Sequence, residues 1–493
     1  MTAGDITVAP PDQSPGAAWD YPDAVAVTTL PRLCGADLEV PLATGGTARY
    51  ANLDCAASTP AMLPVLEAVE RALPWYASVH RGAGFASQVS TRLYEASRQS
   101  VADFVGAGPT DTVVLVRNTT DAINLLAHCL RLEPGQVVLS TAVEHHANML
   151  PWRRRFTVIH LDPPPSPAAL LEAVEGALRE HPVGLVAITG ASNVTGEVFP
   201  VAQVAEVAHR HGALVFVDAA QLAPHRRVDM AASGIDCLAL SGHKMYAPFG
   251  AGALVAPHQV LEDCEPFLAG GGAVDFVTLD SVMWTALPDR LEAGSPNVVG
   301  AVALGTSCAV LAEVGMDTVM AHERELRLRL EARLDAMPHV THLRLWDGAG
   351  VDRLGVCTFT LEGMHHALVA AALSAEWGIG VRHGCFCAHP YITHLLGIDE
   401  SAARAVRSHL RAGERQAIPG AVRASFGIGT RDEEIDRLSE ALEVLAARGP
   451  RLEYVQDPHT GDFVPAVDSR PWPAFEPLGP LEGAVHGLAC GQF

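Results

Sequence analysis

From about Tyr50 to Gly300 the chain alternates short apolar runs with longer stretches of helical period, and this most limits what it can fold into. The runs Val113–Val116, Val137–Leu139, Leu185–Ile188, Leu214–Val217 and Leu238–Leu240 are short and mostly valine, leucine and isoleucine, which reads as strands. Between them, Ile123, Leu126 and Leu130 recur at helical spacing, and Pro167–Leu178 and Val201–His211 read as helices. Parallel neighbours need such crossovers, so the pattern predicts an α/β fold with a mostly parallel sheet sandwiched by helices. Ligands of such sheets gather beyond the carboxyl ends of the strands.

After about Gly300 the pattern shifts to long helices such as His322–Met337 and short strands around Val356–Thr360. The helix Asp432–Ala447 carries Ile435, Leu438, Leu442 and Leu445 on one face. The expected organisation is an N-terminal extension at 1–40 and a large domain at 41–300. A smaller α+β C-terminal domain at 301–449 and a Pro- and Gly-rich tail at 450–493 follow, the tail ordered by lying on the body. An insert at about 396–418 holds a predicted helix, Glu400–Leu410, with Arg404, Arg407, Arg411 and Arg415 at helical spacing. Such a stripe reads as a solvated face, or as a lid or docking surface for an acidic partner.

The 493 residues include 34 basic and 56 acidic side chains, a net charge of −22 that argues against nucleic acid or an anionic membrane as partner. No apolar run reaches membrane-spanning length, and no basic segment followed by an apolar run opens the chain, so a soluble, cytoplasmic protein is expected. In that setting the ten scattered cysteines should be mostly buried thiols; only Cys385 and Cys387 sit close together.

All the basic residues but one are arginine, and the exception is Lys244. Arginine replaces lysine wherever a positive charge suffices, but guanidinium cannot lose its proton and form an imine. Lys244 follows the run Leu238–Leu240 in Ser241-Gly242-His243-Lys244, beside a hydroxyl and an imidazole suited to a phosphate. Asp218 ends the preceding run and is followed by Gln221. It reads as a turn residue, or as the partner of a protonated pyridine nitrogen. A third run ends in Arg117-Asn118-Thr119-Thr120, where a helix begins. Threonine there is a structural cap, or part of a phosphate site using the free N–H groups and the dipole. Together the three strand ends point to pyridoxal 5'-phosphate (PLP) held on Lys244 as a Schiff base.

At this point the chain resembles the class V aminotransferase-fold PLP enzymes of fold type I, in particular the cysteine desulfurase and selenocysteine lyase branch. The stretches that carry the resemblance run in order along the sequence: Asn52 to Ser58, Val79 to Gly82, Arg117 to Asn124, Glu144 to Asn148, Ser192 to Gly196, Val217 to Gln221, Ser241 to Lys244, Glu292 to Asn297, and Arg382 to Ala388. The resemblance implies a seven-stranded sheet in the large domain. It implies that Lys244 holds the cofactor and later moves the Cα proton, that Asp218 binds the pyridine nitrogen and Gln221 the ring oxygen, and that His145 stacks on the ring. Thr120, Ser241 and His243 would hold the phosphate, with Thr119 beside them. Ser295 would reach the phosphate of a partner subunit, which implies a homodimer. Arg423 would grip the substrate carboxylate, assisted by Arg382 and Asn193. Cys387 matches the cysteine that takes sulfur from L-cysteine as a persulfide while alanine leaves; it is alternatively a thiol of no special reactivity.

Two departures qualify the match. The branch usually has His-His-Cys where this chain has Cys385-Phe386-Cys387, a segment that instead looks like that of molybdenum cofactor sulfurases. A second cysteine two positions away can relay a persulfide, serve packing, or join His389 in a zinc reading, for which no second suitably spaced pair follows. The other departure is the insert. Cysteine desulfuration, with delivery of sulfur to an acceptor protein, is the leading expectation. A different C–S lyase, an epimerase or an aminotransferase of specialised metabolism is the alternative, since fold does not fix reaction.

Overall fold

A computed structural model describes residues 29–348, 350–416, 418–475 and 479–480. The first 28 residues of the expected N-terminal extension, and the end of the tail beyond Pro480, lie outside them.

Seven strands form the large sheet: β1 (Asp111–Val116), β2 (Val137–Thr141), β3 (Val158–Leu161), β4 (Val183–Thr189), β5 (Leu214–Asp218), β6 (Cys237–Ser241) and β7 (Gly252–Pro257). Their spatial order is β1-β7-β6-β5-β4-β2-β3, and all run parallel except β7, which is antiparallel to both neighbours. Every residue of β4 is buried, as expected of a central strand covered on both faces. Alternate residues feed the two cores: Val215 and Val217 of β5 join one and Phe216 the other, as do Leu238 and Leu240 against Ala239 of β6. The mostly parallel α/β architecture expected from the alternation is therefore present.

Two of the strands escaped the pattern. The edge strand β3 reads Val-Ile-His-Leu and is only half-buried. β7 is Gly-Ala-Leu-Val-Ala-Pro, a composition that reads as a loop. It is a strand because β1 and β6 pair with it from both sides, and that contact demands small residues. A Cβ on Gly252 would lie 2.6 Å from the Leu240 carbonyl oxygen and 2.8 Å from the Asn118 Cα.

The remaining chain builds a four-stranded antiparallel sheet from β8 (Val340–Leu343), β9 (Val356–Leu361), β10 (Arg382–Gly384) and β11 (Ala421–Ser425), in the order β8-β9-β11-β10. The helices Met316–Ala336, His366–Trp377 and Asp432–Arg448 bury Leu326, Leu330, Leu373 and Leu438 with Phe359 and Val422 of this sheet. The first helix begins at Met316 rather than His322, because Gly315 breaks it from the preceding Val298–Val314 helix. That preceding helix is apolar on all sides and packs along Phe85–Val105. Among the described residues, no single helix is long and apolar enough to cross a membrane.

In the insert the helix runs Glu400–Arg411 and buries no residue. Arg407 and Arg404 approach Glu400 at 2.8 and 3.8 Å, exposed pairs of little energetic weight. Arg415 falls beyond the helix end, so the arginine stripe is shorter than its spacing implied. Buried thiols are the majority of the described cysteines, as expected, with one pair as the exception. Cys129 and Cys264 form a disulfide, whereas Cys55, Cys237, Cys308 and Cys357 are buried thiols.

Gly252→Ala should cost roughly 1–3 kcal/mol through backbone overpacking. Chemical denaturation should register the loss; an unchanged midpoint would mean the strands give way freely at this crossing.

Candidate active site

The carboxyl ends of β1, β4, β5 and β6 open on one pocket, which β10, β11 and the loop after β10 close from the other side. β6 leads into a single 3₁₀ turn, Gly242–Lys244, pressed so closely on β7 that a Gly242 Cβ would meet the Ala251 carbonyl at 2.8 Å. The turn directs Lys244 into the pocket. Burial lowers the Lys244 ammonium to about 8; Asp218 opposes this, Arg423 reinforces it and Cys387 opposes it. Asp218, at the end of β5, is buried and accepts the Ala220 N–H at 3.0 Å. Burial raises its carboxyl and the Lys244 charge lowers it. Burial, then Lys244, pushes the His243 imidazole down to about 4, leaving it neutral near pH 7.

The end of β1 leads into helix Thr119–Cys129, capped by Asn118, whose side chain accepts the Asp121 N–H at 3.0 Å. Ser241 Oγ accepts the Thr119 N–H at 2.8 Å and lies 2.8 Å from Thr119 Oγ1, so β6 and this helix N-terminus are locked together. Thr120 lines the pocket beside them. After β2, the buried Glu144 accepts from Thr141 Oγ1 at 2.8 Å, Asn148 Nδ2 at 2.7 Å and the Thr189 N–H at 3.1 Å. Burial raises Glu144 to about 8 against the pull of these bonds, and the carboxyl braces the turn that presents His145. His145 Nδ1 accepts the Ala147 N–H at 3.1 Å.

Arg382 and Arg423 face one another across β10 and β11 and both line the pocket. Arg423 is buried; it donates from Nη1 to the Asn193 carbonyl at 2.8 Å and from Nη2 to Asp54 Oδ1 at 3.0 Å. Its Nε is buried without a protein partner. Arg382 lies 3.8 Å from the other Asp54 oxygen.

Beyond β10 the loop takes left-handed conformations at Gly384 (φ 104°) and then at two side-chain-bearing residues, Phe386 (φ 53°) and Cys387 (φ 55°). Each of the latter costs on the order of 1–3 kcal/mol and persists only where the surroundings impose it. Here Asn193 Nδ2 donates to the Phe386 carbonyl at 2.8 Å, the His146 N–H donates to the Cys387 carbonyl at 2.8 Å, and the Arg423 guanidinium sits 5.0 Å from the Phe386 ring centre. Cys387 lines the pocket, whereas Cys385 is buried in the loop's base.

The fold thus gathers Thr119, Thr120, His145, Asn193, Asp218, Gln221, Ser241, His243, Lys244, Arg382, Cys387 and Arg423 around one space. Ser295 is not among them: it is exposed and outside the pocket of its own chain. Sequence reasoning overlooked Asp54, the shared anion of the two arginines, and the Ala56 carbonyl, which accepts Gln221 Nε2 at 2.7 Å. The signal for Asp54 was its place in the Asn52–Ser58 stretch; nothing local announced its partners.

Residues 51–438 match the family model of aminotransferase class-V. The chain is 35% identical over 402 residues to a cysteine desulfurase of Dickeya dadantii, covering 80% of this chain and 91% of that one. Among solved structures, the apo cysteine desulfurase of Thermococcus onnurineus NA1 is similar at 31% identity and a TM-score of 0.71, covering 80% of this chain and 94% of that chain. The S-sulfonic acid form of an Escherichia coli cysteine desulfurase is similar at 30% identity and a TM-score of 0.67, with coverage of 80% and 94%.

Because the chain has one lysine, reductive methylation with carbon-13 formaldehyde labels one side chain and the N-terminus. In cofactor-free protein the Lys244 resonance should titrate near pH 8, the free base growing as pH rises. A midpoint near 10.5 would show that the amine is solvated.

Proposed function

This chain belongs to the class-V aminotransferase family, and from that premise we propose that it is a PLP-dependent cysteine desulfurase, converting L-cysteine to L-alanine with transfer of sulfur to Cys387. The observation that carries the proposal is the opening of Lys244 and Cys387 onto the same pocket, one suited to hold the cofactor and the other to take the sulfur.

The residues present fit pyridoxal phosphate. Asp218 is a buried carboxyl needing a cationic partner, which a pyridinium N–H supplies. Gln221 Oε1 is buried without a protein partner, an acceptor left for a ring hydroxyl. The N-terminus of helix Thr119–Cys129, with Thr119, Thr120, Ser241 and His243, offers uncharged donors and a positive dipole end to a phosphate. The cofactor, when bound, supplies an electron sink for an amino acid's Cα.

Everything else falls to the protein. Lys244, lowered to about 8, is free enough of its proton near neutrality to act as the base at Cα. His145 flanks the ring position. Arg423, through its unpartnered Nε, and Arg382 at the pocket mouth receive the substrate carboxylate, with Asn193 holding Arg423 in place. The Cys387 thiolate forms the new S–S bond as the substrate's C–S bond breaks, leaving a persulfide on the protein and alanine in the pocket. The outer sulfur of the persulfide then passes to an acceptor protein, which returns the Cys387 thiol.

A homodimer completes the proposal. Ser295 is exposed and lies outside its own pocket, and the nearby hairpin Val274–Val277 and Val282–Trp284 exposes Phe276, Leu279 and Met283. A contiguous apolar face of this kind favours cover by a second copy.

Purified protein given L-cysteine and a reductant should release alanine and sulfide in equal amounts. Cys387→Ser should keep the cofactor's visible absorbance and lose alanine formation by on the order of 10³-fold or more, whereas Lys244→Ala should lose both turnover and the bound-cofactor band. Pyruvate or a keto acid in place of alanine would overturn the desulfurase assignment. Separately, Leu279→Asp should shift the mass by light scattering from dimer to monomer; an unchanged dimer would place the interface elsewhere.

A further inference from the structure

Beyond the residues matched to the family, the described part of the tail, 450–475, lies against the body of the protein. After Arg448 it crosses helix His366–Trp377 at Glu376, a carboxylate only 2% exposed. Glu376 accepts the Arg451 N–H at 2.9 Å, the Leu452 N–H at 3.1 Å and the Tyr454 hydroxyl at 3.1 Å, while the Arg451 guanidinium covers the Trp377 ring at 4.6 Å. A carboxylate so far from water is costly unless hydrogen-bonded, and the tail provides those bonds. The chain then forms a hairpin of β12 (Tyr454–Gln456) and β13 (Phe463–Pro465), closed by a turn in which Asp457 accepts the His459 N–H at 2.7 Å.

That turn reaches two elements next to the pocket. Gln456 Nε2 donates to the Gln416 carbonyl at 3.0 Å, and Gly461 (φ 81°) packs so tightly on the insert that a Cβ there would meet the Arg415 carbonyl at 2.5 Å. Asp462 Oδ1 lies 3.5 Å from His383 Nε2, on the strand β10. Successive side chains of a strand point to opposite faces, so Arg382 enters the pocket while His383 meets the tail behind it. Three residues after His383 begins the strained Phe386–Cys387 segment.

We propose that Asp462 is a positioning residue for the reaction: through His383 the tail hairpin braces β10 from behind and so fixes the register of the loop that presents Cys387. The proposal rests on the desulfurase reading only in assigning Cys387 the sulfur-accepting role. Asp462 touches neither substrate nor cofactor, and its effect passes through His383 and the strand. The hairpin also holds the end of the insert, through Gln416 and the Arg415 backbone.

The test uses full-length protein reconstituted with PLP. Asp462→Asn should lower kcat for alanine formation roughly fivefold, with KM, the cofactor absorbance and the melting temperature unchanged. It should also change the rate at which iodoacetamide alkylates Cys387, followed by peptide mass spectrometry. Asp462→Glu should restore most of both. Glu376→Ala, which frees the tail at its anchor without touching His383, should reproduce the effect. Wild-type kcat and alkylation rate in Asp462→Asn overturn the proposal, as does a loss of cofactor or melting temperature in step with kcat, which marks a general brace. If the wild-type protein forms no alanine from L-cysteine, the reaction assignment fails, and the alkylation rates still decide whether Asp462 positions Cys387.

Discussion

The pocket is organised by the burial of one amine and one carboxyl at the ends of adjacent parallel strands. Burial drives Lys244 and Asp218 toward their neutral forms, and each charge restrains the other's shift. The balance leaves Lys244 near 8, where an amine can both give up and accept a proton at physiological pH. This follows from register. Asp218 of β5 stands beside Ala239 of β6, and β6 then carries Ser241 and turns into Lys244 against the backbone of β7. Shifting that pairing by one residue would turn Asp218 to the opposite face of the sheet.

A second constraint joins the two sheets. Arg423 leaves β11 buried, so its charge must be matched where it lies. The Asn193 carbonyl comes from the segment after β4, and Asp54 from the segment that reaches Ser425 through an isolated bridge. The residues that prepare a carboxylate site therefore also pin the smaller sheet against the larger one. In the proposed reaction an arriving carboxylate meets a guanidinium whose orientation is already set and whose Nε remains available, so little order has to be created on binding.

Legibility in the sequence followed how local each cause was. Lys244, Asp218 and Thr119 could be found because each ends an apolar run, and the single lysine removed ambiguity about the amine. β7 could not, since its glycine and alanines are dictated by contacts with β1 and β6 rather than by strand propensity. The helix Val298–Val314 is apolar all round and shows no periodic face to read. Asp54 meets Arg423 across 369 residues, and Cys129 meets Cys264 across 135, separations at which no window carries a signal. The tail was expected to lie on the body, but its attachment points could not be read. In its described part, 450–475, they are Glu376, the insert and the contacts of Tyr454 and Phe463, all set by distant partners.

The loop bearing Cys387 distinguishes a thiol kept for chemistry from one kept for packing. Left-handed backbone is tolerated by glycine without penalty, and the loop uses glycine for it at Gly384. At Phe386 and Cys387 it accepts the penalty instead, which makes sense only if those side chains are needed where they point. Phe386 is needed to lie under the Arg423 guanidinium. Cys387 is half-buried and lines the pocket, while its neighbour Cys385 is the one enclosed by the protein. Under the proposed reaction, a thiol held in strained backbone on the same pocket as Lys244 is placed to meet the sulfur of a bound amino acid. Transamination has no use for such a group, whereas the proposed transfer of sulfur to the protein as a persulfide uses one.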